Sequence, residues 1–549
     1  MKPTRFTPEM IRDFLSKGYW TNETTSETWD RNAELFGLEE AMVDSTRRLT
    51  WNDFKRKSDT LAMNFLEMGF QKDDIFFILL PNCVDAYITK LACEKAGIIC
   101  IASLMTLREN EIEDILKTYD VKAIIIPEKF KSFNCYEAIK SMKPNLPKLE
   151  YIFCTGYNVP EDTHSVECLY HKQPKKKYDL SKTRLKVDEL GALGLTSGTT
   201  GVPKVAEHTI GERVALWNSY VKKMDLKKSD VVLNVLNPVT GSCGYYSAKD
   251  GAKRVVMDIW DAKEALRLIE EERVTAIITT PAQLSMLIKE AGEGNYDTSS
   301  LRVILAGTAP MTPELAMACE QKLGVILVNS YGSMDGGGIS NVSIYDDENT
   351  RYYTAGKVHL GNEIKIVDDD GNEVPKGEEG ELILRGAITS SGIFKDLEKT
   401  IDTWGCLGED GWFHTGDRGK FDEQGNLVLT GRKKDMINRG GQNIYPHEIE
   451  GMLFTHPKVK HVAIVPMPDP VMGEKACAFV VPKDGENFTF EEMTEFLLNH
   501  KIAKYKLPER LEIRKSLPLR GEHKVLKKEL INEIKEILKK ETENQGETN

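Results

Sequence analysis

Residues 195 to 204 read Leu195-Thr196-Ser197-Gly198-Thr199-Thr200-Gly201-Val202-Pro203-Lys204. Hydroxyl side chains (Thr196, Ser197, Thr199, Thr200) and glycines (Gly198, Gly201) stand together in front of one lysine. This is the chemistry of a phosphate cradle. Glycine lets the backbone turn tightly and approach a ligand closely. Hydroxyls and exposed N–H groups donate to anionic oxygens, and Lys204 adds a point charge. The spacing is not Gly-x-x-x-x-Gly-Lys-Ser/Thr, so the stretch is no Walker A loop. By composition alone it would also serve as a polar surface turn. The remainder of the chain has to decide.

On its N-terminal side the stretch is fed by the strand-like Leu193-Gly194-Leu195, and Glu212 to Val221 beyond it has helical periodicity. Further out, apolar runs alternate with helix-period segments. Ile75 to Leu80, Ile98 to Ala102, Val121 to Ile126, Val231 to Val235, Arg254 to Met257, Val274 to Thr279, Leu301 to Ala306 and Val325 to Val328 read as buried strands. The intervening segments, such as Asp85 to Lys95, read as helices. Such alternation predicts an α/β fold whose mostly parallel sheets carry helices on both faces. Gly361 to Val367 and Glu381 to Arg385 flank the turn Asp370-Gly371-Asn372 and predict a β-rich subdomain over about 345–430. Tyr19-Trp20 and Trp29 are expected anchors of the first residues.

At 549 residues the chain is too long for one ordinary core, so at least two domains are expected. A net charge of -12 disfavours nonspecific nucleic-acid binding. Ten cysteines lie scattered without a Cys-x-x-Cys pair or zinc spacing, as expected of free thiols in a reducing compartment. The opening Met-Lys-Pro-Thr-Arg-Phe lacks an apolar signal core, and no run reaches about 18 apolar residues. A cytoplasmic protein without a membrane span is expected.

Five further stretches carry chemistry. Gly307-Thr308-Ala309-Pro310 opens the turn after a strand. Asn329-Ser330-Tyr331-Gly332-Ser333-Met334-Asp335 follows another strand and runs into Gly336-Gly337-Gly338. Asp410-Gly411-Trp412-Phe413-His414-Thr415-Gly416-Asp417 offers a carboxylate with two acceptor oxygens, suited to a vicinal diol. Gly431-Arg432-Lys433-Lys434-Asp435-Met436-Ile437 leads into Asn438-Arg439-Gly440-Gly441-Gln442-Asn443-Ile444-Tyr445-Pro446. Near the C-terminus stands Leu517-Pro518-Leu519-Arg520-Gly521-Glu522-His523-Lys524-Val525.

These stretches, in this order and spacing from about Leu49 to Lys528, resemble the adenylate-forming superfamily, in its acyl-CoA synthetase and aryl-acid adenylating branch. The resemblance implies a large domain over 1–433 and a small, mobile α+β lid over 434–549, with the hinge at Lys434. It implies activation of a carboxylate with ATP to acyl-AMP and pyrophosphate, then transfer to CoA. Thr196 to Gly201 would hold the phosphates, with Lys204 in support. Gly307, Ala309, Pro310, Tyr331 and Gly332 would surround the adenine and acyl group. Asp417 would accept from the ribose hydroxyls and Arg432 would contact ribose or phosphate. Asp335 would hold Mg²⁺, and Lys524 would be the catalytic lysine of adenylation. Gly440 and Gly441 would line the thiol tunnel, while Gly241, Gly336 and Gly337 would border the acyl pocket.

Four residues depart from the family pattern: Met334 for threonine, Asp335 for glutamate, Arg520 for threonine and His523 for glycine. The expected partners are a small-molecule carboxylate, ATP and CoA, with a homodimer left open. An aromatic or alicyclic acid is favoured. A medium-chain fatty acid, carrier-protein loading and a non-catalytic ligand-binding descendant are the alternatives. A charged helix is expected over Lys527 to Lys540, with a disordered tail over Glu541 to Asn549.

Overall fold

The computed structural model describes residues 1–103, 105–195, 204–236, 248–440, 442–500, 502–520 and 524–546. Two large sheets dominate. The first has seven strands in the order Val205–Thr209, Leu190–Leu195, Ile99–Ala102, Ile75–Ile78, Ala123–Ile126, Tyr151–Cys154 and His164–Ser165. It is parallel except where Leu190–Leu195 pairs antiparallel with Val205–Thr209. The phosphate-cradle stretch is the connection inside that antiparallel pair. The second sheet has nine strands, with Ile326–Ser333, Val303–Ala306, Ala276–Thr279, Val231–Asn234, Lys253–Val256 and Glu40–Val43 running parallel through its middle.

The strand period explains the layering, because alternate residues of a strand face opposite ways. Phe76 and Ile78 of the first sheet share one buried cluster with Ala276, Ile278, Val303 and Leu305 of the second. That cluster also holds Tyr87, Ile88 and Leu91 of the helix Val84–Ala96 and Leu216, Trp217 and Tyr220 of the helix Ile210–Met224. The two helices are therefore packed between the sheets. The opposite residues, Ile75 and Phe77 in one sheet and Ile277 and Ile304 in the other, belong to two outer clusters covered by further helices. Both sheets are thus covered on both faces, as their continuous apolar strands require. The predicted anchors Trp20 and Trp29 are each 2% exposed.

An antiparallel sheet of Asn362–Val367, Gly380–Gly386, Phe413–Phe421 and Leu427–Arg432 follows, with its own core around Trp404, Leu382 and Leu384. After the short 3₁₀ turn Lys433–Asp435 the chain builds a separate unit. There the long hairpin Val459–Asp469/Gly473–Pro482 carries the helices Pro446–Phe454 and Phe490–Asn499 over one face and Lys527–Gly546 over the other. One expectation is corrected here. The tail beyond Lys540 is helical through Gly546, and bonds from Arg510 to Glu541 (2.7 and 3.0 Å) fasten the added turn.

Candidate active site

Strand Ile326–Ser333 leaves the second sheet and folds back as Gly337–Asn341. This hairpin carries Tyr331 to the antiparallel sheet, where its hydroxyl donates to Asp417 Oδ2 at 2.6 Å. Arg432 Nε lies 3.1 Å from the other oxygen, Oδ1. The strands Phe413–Phe421 and Leu427–Arg432 pair Asp417 directly with Arg432, which sets this geometry through the backbone. Burial raises the Asp417 carboxyl above its usual range, opposed by the Tyr331 hydrogen bond and the Arg432 charge. Burial, and the nearby Asp417 charge, push the Tyr331 hydroxyl well upward too. A carboxylate offers about four lone-pair positions. Among the described residues Tyr331 and Arg432 use one on each oxygen, leaving one acceptor position on each.

Asp335 stands at the turn of the hairpin. Its carboxyl is also raised by burial, and Lys204 is near enough to oppose that shift. The structure thus brings Lys204 and Asp335, 131 positions apart in sequence (335 − 204), to one place. The Ser390 hydroxyl donates to the Asp335 carbonyl oxygen. Met334 turns the other way. A Cβ at Gly194 would collide with its thioether and stand 3.2 Å from His208 Nε2. The methionine that departs from the family pattern therefore packs on the bare strand leading into the phosphate cradle. Beside it, His208 Nδ1 pairs with Glu212 at 2.8 Å, and burial keeps the imidazole pKa low.

The glycines after Asp335 are filled in by protein. A Cβ at Gly336 would lie 2.8 Å from the Phe413 ring, and one at Gly337 would lie 2.5 Å from the Ile388 carbonyl. Gly337 also has φ +90°, which a side chain would strain. Gly332 is pressed in the same way by the Gly337 carbonyl, 2.7 Å from where its Cβ would be.

Gly307 ends the strand Val303–Ala306, and a Cβ there would stand 2.9 Å from the Ser330 carbonyl. The next residue, Thr308, holds φ +71°, a left-handed conformation unusual for threonine. Ala309 and Pro310 follow in the same turn, and Thr312 caps the helix Pro313–Leu323. Ser330 Oγ is 2.9 Å from the Tyr220 hydroxyl. Tyr220 and Ser390 were not singled out from the sequence. Their neighbours are distant in the chain, and nothing local marks them.

The small unit meets the large one along a polar seam. Tyr445 of the small unit donates to Glu379, while in the connecting turn Lys433 pairs with Asp369 (3.0 Å) and Glu381 (3.1 Å). Gly431 leaves room for Tyr445 Cδ1, 2.6 Å from where its Cβ would be. Lys434 lies exposed in the connecting turn. Gly440 has φ +56° and donates its N–H to the Met472 carbonyl at 2.8 Å. Its missing Cβ would stand 2.6 Å from Met472 Cε, so the hairpin tip braces this turn. Lys524 lies in the short strand Lys524–Val525. Thr196, Ser197, Gly198, Thr199, Thr200, Gly201, Gly241, Gly441 and His523 lie outside the described residues, as do the side chains of Arg520 and Lys524.

Among the described residues no group of three or more His, Cys, Asp or Glu side chains could hold a metal ion. A lone carboxylate at Asp335 nevertheless fits Mg²⁺ brought in on a triphosphate, since that ion is commonly bound by one or two carboxylates plus substrate phosphates.

Two family models match the chain: AMP-binding enzyme over residues 29–394 and AMP-binding enzyme C-terminal domain over residues 448–524. The medium-chain fatty-acid–CoA ligase of Escherichia coli (strain K12) is 30% identical over 94% of this chain and 91% of its own. The 2,3-dihydroxybenzoate–AMP ligase of Bacillus subtilis (strain 168) is 30% identical over 97% and 98%. The crystal structure of an anthranilate CoA ligase with anthranoyl-AMP superposes with a TM-score of 0.84 at 23% identity, covering 94% of this chain and 98% of that one.

Proposed function

The chain belongs to the AMP-binding enzyme family, and from that membership we propose how its residues divide the work of the reaction. The protein is an AMP-forming carboxylate–CoA ligase that uses ATP, Mg²⁺ and CoA. The observation that carries the residue assignment is the Tyr331–Asp417–Arg432 cluster, with free acceptor positions on a carboxylate held from both sides.

In the first half-reaction the ribose hydroxyls donate to Asp417, and Tyr331 lies along the adenine. Gly307, Ala309 and Pro310 border the nucleotide and the acyl group. The substrate carboxylate is already ionised and needs no general base. It attacks the α-phosphorus, and pyrophosphate departs. Lys204, Lys524 and the hydroxyls of Thr196 to Thr200 hold the charge that develops and leaves. Asp335 would hold Mg²⁺, which offsets charge on the triphosphate oxygens.

The small unit then turns about Lys434. That movement withdraws Lys524 and presents the Gly440–Gly441 turn to the CoA thiol. The thiolate attacks the acyl carbon, the acyl–phosphate bond breaks and AMP leaves. We assign the domain boundary to 433/434 on this basis. A cytoplasmic setting suits the nine unpaired cysteines among the described residues.

For the acid we propose an aromatic or alicyclic carboxylate. Support comes from the dihydroxybenzoate-activating relative, which aligns over 98% of its length, and from the Tyr19-Trp20 segment, which resembles that of the aryl-acid branch. Trp20 is packed on Gly211 and donates to the Ala387 carbonyl at 2.8 Å. The Escherichia coli relative keeps a medium-chain fatty acid as the second reading. ATP–pyrophosphate exchange with benzoates, cyclohexane carboxylates and C6–C12 fatty acids tests the assignment. Thioester assays with CoA and with a phosphopantetheinylated carrier follow. Faster exchange with octanoate than with any cyclic acid would overturn the substrate reading, and faster transfer to the carrier would overturn CoA as the main acceptor.

A further inference from the structure

The N-terminal segment ends up against the hairpin turn that carries Asp335. Arg5 is 1% exposed, yet it forms no ion pair with any described residue. Its guanidinium stacks 3.7 Å from the centre of the Trp404 ring and 4.6 Å from that of Phe6. One nitrogen, Nη2, donates to Thr389 Oγ1 at 2.6 Å and to the Ser390 carbonyl at 3.0 Å, while Nε and Nη1 find no acceptor. The Arg5 backbone N–H donates to the Ser391 carbonyl at 2.8 Å. Burial lowers the guanidinium to about 9, a shift that the Glu212 charge opposes. A buried cation without a directly paired carboxylate is costly, and simple anchoring of this segment would not require one.

What Arg5 grips is the strap over residues 388–392. The strap lies directly on the Asp335 turn, because Gly337 has no Cβ to keep the Ile388 carbonyl and Thr389 Cα away. From it the Ser390 hydroxyl reaches the Asp335 carbonyl. The same strap is tied to the strand after the phosphate cradle, with Ser391 N–H donating to the Glu207 carbonyl and Glu207 N–H to that of Gly392, both at 2.9 Å. Thr4 completes the clamp by donating its N–H and hydroxyl to the Glu207 carboxylate at 2.8 and 2.7 Å.

We propose that Arg5 is a positioning residue for adenylation: through the Thr389–Ser391 strap it fixes the backbone of Asp335, and so the placement of that carboxylate toward metal-bound ATP. This rests on the assignment of Asp335 to the metal made above. Four variants of the full chain test it by calorimetry, with ATP titrated in magnesium and again in excess EDTA. The quantity read is the gain in affinity that magnesium confers. Asp335→Asn tests the assignment, and Arg5→Met removes the donors while keeping the bulk. Ser390→Ala breaks the same relay with the N-terminal segment intact, so the test survives if Arg5→Met does not fold.

Arg5→Met and Ser390→Ala are each expected to cut the magnesium gain about fivefold or more and to leave metal-free ATP binding within about twofold. Arg5→Lys is expected to restore only part of the gain, since an ammonium cannot reproduce the planar stack on Trp404. A gain abolished by Asp335→Asn but untouched by Ser390→Ala would overturn the relay alone. Equal losses with and without magnesium would reduce Arg5 to a structural anchor and overturn it too. A gain untouched by Asp335→Asn would refute the assignment itself, and the relay with it.

Discussion

Replacing Asp417 by asparagine separates the charge of this carboxylate from its shape. In the folded protein Tyr331 donates to one oxygen at 2.6 Å and Arg432 Nε lies 3.1 Å from the other. Each oxygen keeps one free position for a ribose hydroxyl. Asparagine has one acceptor oxygen, and Tyr331 already claims one of its positions. The amide nitrogen would face Arg432, donor against donor, and could not accept the second hydroxyl. The variant therefore loses one hydrogen bond to a charged group, worth about 1.5–3 kcal/mol. That predicts about 10- to 150-fold weaker ATP and AMP binding.

The decisive measurement is a pair of cycles with 2′-deoxy-ATP and 3′-deoxy-ATP, read by calorimetry. In the parent, removing either hydroxyl should cost about tenfold; in Asp417→Asn one of the two removals should cost about twofold or less, because that hydroxyl's acceptor is already gone. If both deoxy penalties are equally large in the two proteins, Asp417 does not meet the ribose, whatever the variant does to activity.

The same variant also changes how stability depends on pH. Burial raises the Asp417 carboxyl above its ordinary 3.8, so the folded chain holds that proton more tightly than the unfolded chain does. Stability contributed by the group therefore falls as pH rises from about 4 through the raised value, and stays low above it. Asparagine carries no such penalty, though it meets Arg432 donor to donor at every pH. The Tm of the variant minus that of the parent should therefore be more positive at pH 7 than near pH 4. A constant difference across that range would contradict the burial argument.

Other outcomes follow from particular contacts. Lys524→Ala should lose adenylation by about a hundredfold or more, judged by pyrophosphate exchange, and should keep thioester formation from supplied acyl-AMP; equal loss of both would contradict domain alternation. Gly440→Val places a side chain at φ +56° against Met472, so it should slow thioester formation while sparing exchange. Trp404→Ala empties a fully buried site under Arg5 and should cost about 3–5 kcal/mol in denaturant unfolding.

The chemistry and the class of fold were legible in the order of the residues alone. Continuous apolar strands such as Ile75–Ile78 and Val303–Ala306 can be satisfied only by sheets covered on both faces, so the layering was legible from local pattern. The order of Leu195–Lys204, Asn329–Asp335, Asp417, Gly431–Ile437 and Lys524 was enough to identify the superfamily. Tertiary structure decided what those residues touch. Whether Gly336 and Gly337 border open space or protein depends on Phe413 and on residues 388–389, which no local spacing reveals. The role of Met334 became visible only against Gly194. Arg5 reaches Thr389 across 384 positions, and the geometry around Asp335 is assembled from contacts of that kind. Hydrogen-bond donors and acceptors are written in the chain, but which of them meet is set by the packing of the layers.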